Sequence, residues 1–385
     1  MRPSQRNQLL IPALIGLSVA ALILMTFPEL RNGNISTRQT TELDQQSNPL
    51  WPESGFVSYS QAVGRAAPSV VNIYTLKVSS IGNNHPLAKH PVFGAQIRRT
   101  QVPQTSLGSG VIMRGDGYIL TNYHVIDGAE KILGMLYDGR TAPVTLVGTD
   151  PETDLAVLRI ELDNLQPIAL GQPGQAKIGD VVLAIGNPHG IGQTVTQGII
   201  SATGRTGLGI NTFENFLQTD AGISPGNSGG ALVDVYGDLL GINTASIRSS
   251  DSISFAIPAD TAQRVLDEIL EHGFVIRGWL GIDAVPMTPR AARVLSIPMI
   301  NGLLIRAIAP NGPTAGVDLR PGDIVTSIDD QKVVNSQTSM TQIASVKPGN
   351  PIELKIWRRG QILEVTAVAG SRHDRPKPQA PSPKP

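Results

Sequence analysis

The sequence predicts a mainly β protein with two domains, the larger of which is an all-β barrel or sandwich. Short apolar runs recur between turn residues, and the 385 residues include Gly 40 and Pro 29. Helical periodicity is nearly absent before residue 259. A smaller β-rich segment follows the first clear helix, so two domains are expected from a chain of this length.

The amino-acid composition argues against nucleic-acid binding and excludes functions that depend on cysteine. The chain contains Lys+Arg 31 and Asp+Glu 31, so its net charge is zero. It lacks the net positive charge that would favour binding of nucleic acid. Hydrophobic residues make up 41% of the chain, which is enough to build folded cores. The absence of cysteine excludes disulfides, thiolate metal sites and a cysteine nucleophile.

The N-terminal segment predicts a membrane anchor. Leu9 to Phe27 is an uncharged apolar run, close to the ~20 residues that span a bilayer. Arg2 and Arg6 precede it, which places the N-terminus in the cytoplasm and the remainder across the membrane. A cleaved signal peptide is the alternative, although the run is long for one and lacks a clean cleavage site. We expect residues 1–27 to form a cytoplasmic stub and transmembrane helix.

The larger domain is expected at residues 59–273, and a flexible polar tether is expected to precede it at residues 28–58. Residues 79–105 are polar and irregular and predict a long surface loop. The strand-like apolar runs of the domain are 69–74, 110–113, 118–121, 144–147, 155–160, 181–185, 195–201, 216–220, 231–233 and 239–243. Ala259 to His272 has a single apolar face, which predicts the helix that ends the domain.

The smaller domain is expected at residues 274–371. It contains a weak helical pattern at Ser336 to Ser345. Its strand-like runs are 303–309, 324–328, 352–357 and 363–369. Residues 372–385 alternate proline and lysine and predict a disordered tail.

A serine between glycines marks the centre of the candidate site. Gly226-Asn227-Ser228-Gly229-Gly230 joins two strand-like runs. Glycines allow positive φ and a close approach of a substrate backbone. The N–H groups of such a turn can converge on one point, as an oxyanion hole requires. Taken alone, the stretch could equally be a hairpin loop.

Two upstream stretches supply what a nucleophilic serine needs. His124 lies in Thr121-Asn122-Tyr123-His124-Val125, at the end of a predicted strand, and Asp154 opens Asp154-Leu155-Ala156-Val157-Leu158. Acyl transfer requires a base for the serine proton and a carboxylate that orients the base. Alone, each residue has an ordinary explanation, a core or surface histidine and a turn-capping aspartate. Their order, His then Asp then Ser, matches two-barrel serine peptidases.

These three stretches together resemble the HtrA family of serine proteases, and so do residues 186–188, 198–205 and 215–221. The resemblance covers about residues 59–371. It implies a chymotrypsin-like double β-barrel protease domain followed by one PDZ domain, with an N-terminal transmembrane helix as in the membrane-anchored members. It also implies a homotrimer and ATP-independent serine endopeptidase activity that uses no cofactor and no metal.

The family's residue roles transfer to matching positions here. Ser228 would be the nucleophile, His124 the general base and Asp154 its orienting carboxylate. The backbone N–H groups of Gly226 and Ser228 would form the oxyanion hole. Arg205 stands where membrane-anchored members have a loop arginine that links PDZ occupancy to activation.

One departure from the family pattern lies beside the nucleophile. Ile223-Ser224-Pro225 differs from the residues usual before Gly-Asn-Ser. Pro225 restricts φ and biases Ser224 toward extended conformations. Whether the oxyanion turn of this chain needs activation is therefore open.

The start of the smaller domain resembles a peptide-binding loop. Arg277-Gly278-Trp279-Leu280-Gly281-Ile282 is similar to the carboxylate-binding loop of HtrA PDZ domains, with Trp279 in place of the commoner tyrosine. Backbone N–H groups from Trp279 to Ile282, including those of Leu280 and Gly281, would take a terminal carboxylate, and the next strand would pair with the peptide. A plain glycine turn at a domain entry is the alternative.

The resemblance implies a periplasmic serine endoprotease held in the cell inner membrane by a single span. Its PDZ domain would bind C-terminal peptides of misfolded outer-membrane proteins, and it would cleave a transmembrane anti-sigma factor in the envelope stress response. Tethering suits a membrane substrate because it raises the effective concentration. The alternatives are a general periplasmic quality-control protease with chaperone activity and a PDZ scaffold with an inactive barrel.

Overall fold

A computed structural model of the chain describes residues 58–80, 101–187, 192–246 and 253–375. The predicted anchor, nearly all of the tether, and the tail beyond residue 375 lie outside the described residues. Within those four ranges, no helix combines the length and the apolar character needed to cross a membrane.

Six antiparallel strands form the first barrel. They are β1 (Val70–Ser80), β2 (Gln101–Ile112), β3 (Tyr118–Thr121), β4 (Lys131–Met135), β5 (Thr141–Asp150) and β6 (Leu155–Ile160). The barrel closes in the order β1-β2-β3-β6-β5-β4. Its interior is filled by fully buried branched side chains such as Ile73, Ile119 and Leu158, which explains why the strands read as apolar runs.

Part of the predicted surface loop at 79–105 is strand. β1 extends to Ser80 and β2 begins at Gln101, and Ser80 pairs with Gln101 in the antiparallel register. The expectation was wrong for these ends because their polar side chains give no apolar alternation, while the ladder is held by backbone hydrogen bonds. Residues 81–100 lie outside the described part of the chain.

The second barrel repeats the topology of the first. Its strands are β7 (Val181–Gly186), β8 (Thr194–Arg205), β9 (Phe216–Thr219), β10 (Ala231–Val233), β11 (Leu239–Ser246) and β12 (Ser254–Pro258). They close in the order β10-β11-β12-β9-β8-β7. Read in the opposite direction, β7-β8-β9-β12-β11-β10, this is the order of the first barrel with every strand number raised by six. The double barrel expected from the sequence is therefore confirmed.

In the described part of the chain, three helices accompany the barrels: α1 (Ser60–Ala66), α2 (Tyr123–Ile126) and α3 (Ala259–His272). Short 3-10 turns occur at Ala67–Ser69 and Pro173–Gln175. α3 has the predicted bounds, and Gly273 ends it with a φ of 83°. Its buried face packs against strands of both barrels. α1 and α2 were not predicted because neither is long enough to show a helical period.

The smaller domain is an open antiparallel sheet with two helices. Its strands are β13 (Gly278–Trp279), β14 (Ile282–Pro286), β15 (Leu303–Ile308), β16 (Ile324–Ile328), β17 (Gln331–Lys332), β18 (Pro351–Arg358), β19 (Gln361–Val368) and β20 (Gly370–Ser371). The helices are α4 (Pro289–Leu295) and α5 (Ser336–Ser345), and α5 has the bounds expected from the sequence. The main sheet runs β14-β15-β16-β18-β19, so β14 is an edge strand, and β13 pairs with β20.

Candidate active site

The candidate site lies where the two barrels meet. His124 belongs to the first barrel and Ser228 to the second, and both line a cleft of about 270 Å³. The cleft is also lined by Ser106, Leu107, Val125, Ile223, Ser224, Pro225, Gly226 and Thr244. We expected His124 at the end of β3, but it lies on the one-turn helix α2, three residues beyond the last strand residue, Thr121.

His124 is held by Asp154 at two points. Its backbone N–H donates to Asp154 Oδ1 at 2.9 Å, and its ring Nδ1 lies 2.7 Å from Asp154 Oδ2. The backbone carbonyl of Asp154 in turn accepts from the side chain of Asn122 at 3.1 Å and from the N–H of Tyr123 at 3.1 Å. These bonds lock the helix to the turn before β6, so Nε2 of His124 is left for the cleft.

Asp154 has the properties of a buried orienting carboxylate. It is 8% exposed and has a φ of 60°, a left-handed conformation that aspartate tolerates better than most residues. Thr244 at the second barrel donates its hydroxyl to Asp154 Oδ2 at 2.8 Å. Thr244 is itself buried, and no local sequence pattern marked it as part of the site.

The residues before Ser228 form a tight turn. The N–H of Asn227 donates to the carbonyl of Ser224 at 2.9 Å, and Gly226 has a φ of 103°. Proline at the second position and a positive-φ glycine at the third are the pattern of a type II turn. Pro225 therefore suits the turn that the structure shows.

Ser228 is near His124 but is not hydrogen-bonded to it. Its hydroxyl donates to the backbone carbonyl of Thr244 at 3.1 Å, and no bond joins it to His124 within the described ranges. Catalytic hydrogen bonds are often incomplete without substrate and tighten in the substrate complex. The structure thus brings His124 and Asp154 into direct contact and leaves the serine hydroxyl with another partner.

The turn leaves two backbone donors free. The N–H groups of Gly226 and Ser228 meet no protein acceptor among the described residues, whereas the N–H of Gly229 donates to the carbonyl of Asn243 at 2.8 Å. A Cβ at Gly229 would lie 2.1 Å from the carbonyl oxygen of Ser109, so only glycine fits at that position. Two free donors beside a serine can stabilise an oxyanion.

Comparisons with known proteins agree with this geometry. Residues 108–242 match the model of the trypsin-like peptidase domain, and residues 278–368 match that of the PDZ domain. The chain is 41% identical over 357 residues to the serine endoprotease DegS of Escherichia coli K12, covering 91% of this chain and 94% of that protein.

The chain belongs to the HtrA family of serine proteases. It is a serine endopeptidase with a trypsin-like domain and a single PDZ domain.

Other HtrA relatives show how far the likeness extends. The periplasmic pH-dependent serine endoprotease DegQ of E. coli K12 is 37% identical over 314 residues, which cover 80% of this chain and 69% of DegQ. Among solved structures, the HtrA-type protease AlgW with decapeptide superposes with a TM-score of 0.72 at 49% identity, covering 83% of this chain and 100% of that one. The serine endoprotease from Yersinia pestis gives 0.63 at 43% identity, covering 82% and 98%.

The loop expected to bind a carboxylate has free donors in its middle. The N–H groups of Leu280 and Gly281 meet no protein acceptor in the described part of the chain. Hydrogen bonds to its carbonyls fix the loop to the rest of the domain. The carbonyl of Leu280 accepts from the hydroxyl of Thr314 at 2.8 Å, and that of Gly281 accepts from the N–H of Ala309 at 2.7 Å. Trp279 and Ile282, the flanking residues, lie in β13 and β14 and pair with other strands.

Within the described ranges, Arg205 makes no hydrogen bond or ion pair to the PDZ domain. It is exposed at the end of β8, and its Nε donates to Gln218 of β9 at 2.8 Å. The structure therefore places Arg205 at the last position of strand β8, before the loop that we expected to contain it, with a partner from its own domain.

The two domains are instead joined by a buried ion pair that the sequence did not reveal. Arg277, 5% exposed, donates to both oxygens of Asp150 at 2.8 and 2.5 Å. Thr153 also donates to Asp150, and Glu152 lies 3.7 Å from Arg277. Asp150, Glu152 and Thr153 directly precede Asp154. The PDZ domain therefore contacts the turn that carries the Asp154 carboxylate.

A second contact joins the PDZ domain to the loop between β8 and β9. The guanidinium carbons of Arg277 and Arg372 lie over the ring of Phe213, 4.6 and 5.2 Å from the ring centroid. Gln337, in the first turn of α5, donates to the carbonyl of Thr212 at 2.6 Å. Arg372 is the first residue of the predicted tail, and it also donates to Glu152 at 3.0 Å.

Proposed function

We propose that this chain is a membrane-anchored periplasmic serine endoprotease whose activity is regulated by peptides that bind the PDZ domain. Ser228 is the nucleophile, His124 takes its proton, and Asp154 orients the imidazole and stabilises its charged form. The N–H groups of Gly226 and Ser228 bind the oxyanion of the tetrahedral intermediate.

The observation that carries the proposal is the bonded pair His124 and Asp154 facing Ser228 across one cleft. The Nδ1 to Oδ2 distance of 2.7 Å supports the tautomer in which Nε2 is free to accept the serine proton. A rotation about the Cα–Cβ bond of Ser228 releases its hydroxyl from the carbonyl of Thr244.

Regulation by peptides is supported by the PDZ domain. The unpaired N–H groups of Leu280 and Gly281 suit a terminal carboxylate, and edge strand β14 can accept a peptide as an added strand. We propose C-terminal peptides of misfolded outer-membrane proteins as ligands. The contacts of Arg277 with Asp150 and of Gln337 with Thr212 would couple peptide binding on the PDZ domain to the peptidase domain.

The substrate of this proposal is a transmembrane anti-sigma factor, cleaved in the envelope stress response. The identity of 41% to DegS and the apolar segment Leu9 to Phe27 support it, since an anchored enzyme meets membrane substrates at high effective concentration. The active form would be a homotrimer. Arg205, which ends β8 before the loop between β8 and β9, is proposed as a regulatory residue through its bond to Gln218.

A general periplasmic quality-control protease is the second candidate. It is favoured by the oxyanion turn, where Pro225 restricts φ at the second position of the type II turn that leaves the N–H groups of Gly226 and Ser228 without an acceptor among the described residues. It is also favoured by Arg205, which is bonded within its own domain. Such an enzyme would cleave unfolded proteins without an activating peptide.

Two experiments test the proposal. A fluorophosphonate probe should label the protein and fail to label the Ser228→Ala variant, and labelling of both would refute the assigned nucleophile. Cleavage of unfolded casein is then compared with cleavage of an anti-sigma factor periplasmic domain, with and without a hydrophobic C-terminal peptide. Peptide-dependent cleavage of the anti-sigma domain supports the regulated enzyme, and efficient casein cleavage without peptide supports the second candidate.

A further inference from the structure

Ser109 is a fully buried residue of β2 that bonds across the boundary between the barrels. Its hydroxyl donates to the carbonyl of Gly226 at 2.6 Å and accepts from the N–H of Asn187 at 3.0 Å. Its own N–H donates to the carbonyl of Ser228 at 2.8 Å. One residue of the first barrel thus makes three hydrogen bonds to the second.

Two of these three bonds reach the turn that carries Ser228. The bonded carbonyls belong to Gly226 and Ser228, the same two residues whose N–H groups are free in the cleft. Each peptide unit is a rigid plane, so the carbonyl of Gly226 is coplanar with the N–H of Asn227 and the carbonyl of Ser228 with the N–H of Gly229. The two bonds hold the peptide units on either side of the unit that carries the N–H of Ser228, and the first of them also holds the unit that follows Gly226. Bonds to these carbonyls therefore restrain the free donors.

The bonds of Ser109 connect the two halves of the site, which lie on different barrels. His124 and Asp154 are held in the first barrel, whereas Ser228 and both free donors are carried by the second. The reaction needs base, nucleophile and oxyanion donors in one arrangement, and a misplacement of about 1 Å can cost about 100-fold in rate. A link from β2 to the serine turn sets the spacing between the two halves of the site.

We propose that Ser109 is a positioning residue of the peptidase reaction, which holds the oxyanion turn of the second barrel in register with His124 of the first. It touches neither substrate nor reacting atoms. The inference rests on the proposed roles of Ser228 and Gly226.

The test compares Ser109→Ala with Thr75→Val. Thr75 is buried on β1, the strand paired with β2, and its hydroxyl bond to the carbonyl of Ser106, 3.5 Å long, stays within the first barrel. Both variants lose a buried hydroxyl, so both should lower the melting temperature. Cleavage of dye-labelled casein and of a dye-labelled anti-sigma factor periplasmic domain is measured with and without a saturating hydrophobic C-terminal peptide, and kcat is compared on the substrate that the parent cleaves.

Ser109→Ala should lower kcat by about 10- to 100-fold and change KM by less than about threefold, because the loss lies in the transition state. Its affinity for a peptide boronic acid, whose tetrahedral adduct uses the oxyanion hole, should fall by a similar factor. Ser109→Thr, which keeps the hydroxyl, should recover most of the rate. Thr75→Val should keep kcat within about threefold of the parent.

Equal losses of kcat in Ser109→Ala and Thr75→Val would overturn the inference, and so would an unchanged boronate affinity. If the alanine variant does not fold, Ser109→Cys keeps the size of the side chain and weakens its bonds, and the same split between kcat and KM is required. Loss of activity in Ser228→Ala together with normal kcat in Ser109→Ala would refute only the role of Ser109. Full activity in Ser228→Ala would refute the proposed function itself.

Discussion

Replacing Thr244 by valine tests how strongly the second barrel supports Asp154. The substitution keeps the shape of the side chain and removes only the hydroxyl that donates to Asp154 Oδ2 at 2.8 Å. The backbone carbonyl of Thr244, which accepts from Ser228, stays in place. Asp154 would retain its two bonds from His124, one to each carboxylate oxygen.

The size of the effect follows from the charge on the acceptor. A hydrogen bond to a charged group contributes about 1.5–3 kcal/mol. Asp154 must balance the positive charge that His124 acquires in the transition state, so a freer carboxylate weakens catalysis at that step. Because about 1.4 kcal/mol corresponds to tenfold in rate, kcat should fall by about 10- to 100-fold. KM should stay nearly constant, because the hydroxyl faces Asp154.

The assay is steady-state cleavage of a dye-labelled anti-sigma factor periplasmic domain, and of casein, by the full chain with a saturating hydrophobic C-terminal peptide; kcat is compared on the substrate that the parent cleaves, and melting temperature is measured in parallel. A fluorophosphonate probe should label Thr244→Val more slowly than the parent, by a factor similar to that in kcat. A kcat within about twofold of the parent would refute the reasoning, because the bond would then contribute little to the transition state. A change confined to KM would refute it as well.

Two further substitutions test the domain junction and the peptide loop. Arg277→Met should lower the free energy of unfolding by about 3–5 kcal/mol in urea titration, since it leaves buried Asp150 unpaired. Adding Asp150→Leu should recover part of the loss, and an unchanged single variant would contradict the role of the pair. Gly281→Ala should weaken binding of a hydrophobic C-terminal peptide about tenfold in fluorescence anisotropy, because a left-handed alanine costs about 1–2 kcal/mol. The φ there is 74°, and unchanged affinity would show that the loop does not contact the peptide.

Elements with a strong period could be predicted from sequence alone. α3 was expected at Ala259–His272 and occurs there, because its apolar face and the glycine that follows it act locally. β6 and β16 likewise have the expected bounds, Leu155–Ile160 and Ile324–Ile328, since both are apolar runs bounded by turn residues.

Elements stabilised from elsewhere in the chain could not be predicted in this way. The one-turn helix α2 is held by the bond from His124 N–H to Asp154, thirty residues later in the chain. The polar ends of β1 and β2 are strand because each pairs with the other. Neither contact leaves a pattern in the local sequence.

The residue types of the site and their order were determined by the sequence itself, because the histidine, the aspartate and the glycine-flanked serine each lie in a recognisable local stretch. The local sequence does not reveal which other side chains contact these three residues. Thr244 reaches Asp154 and Ser109 reaches Gly226 from the opposite barrel, and Arg277 reaches Asp150 from the PDZ domain. Such bonds join residues that are distant in sequence, and their partners are set by how the barrels and the PDZ domain pack.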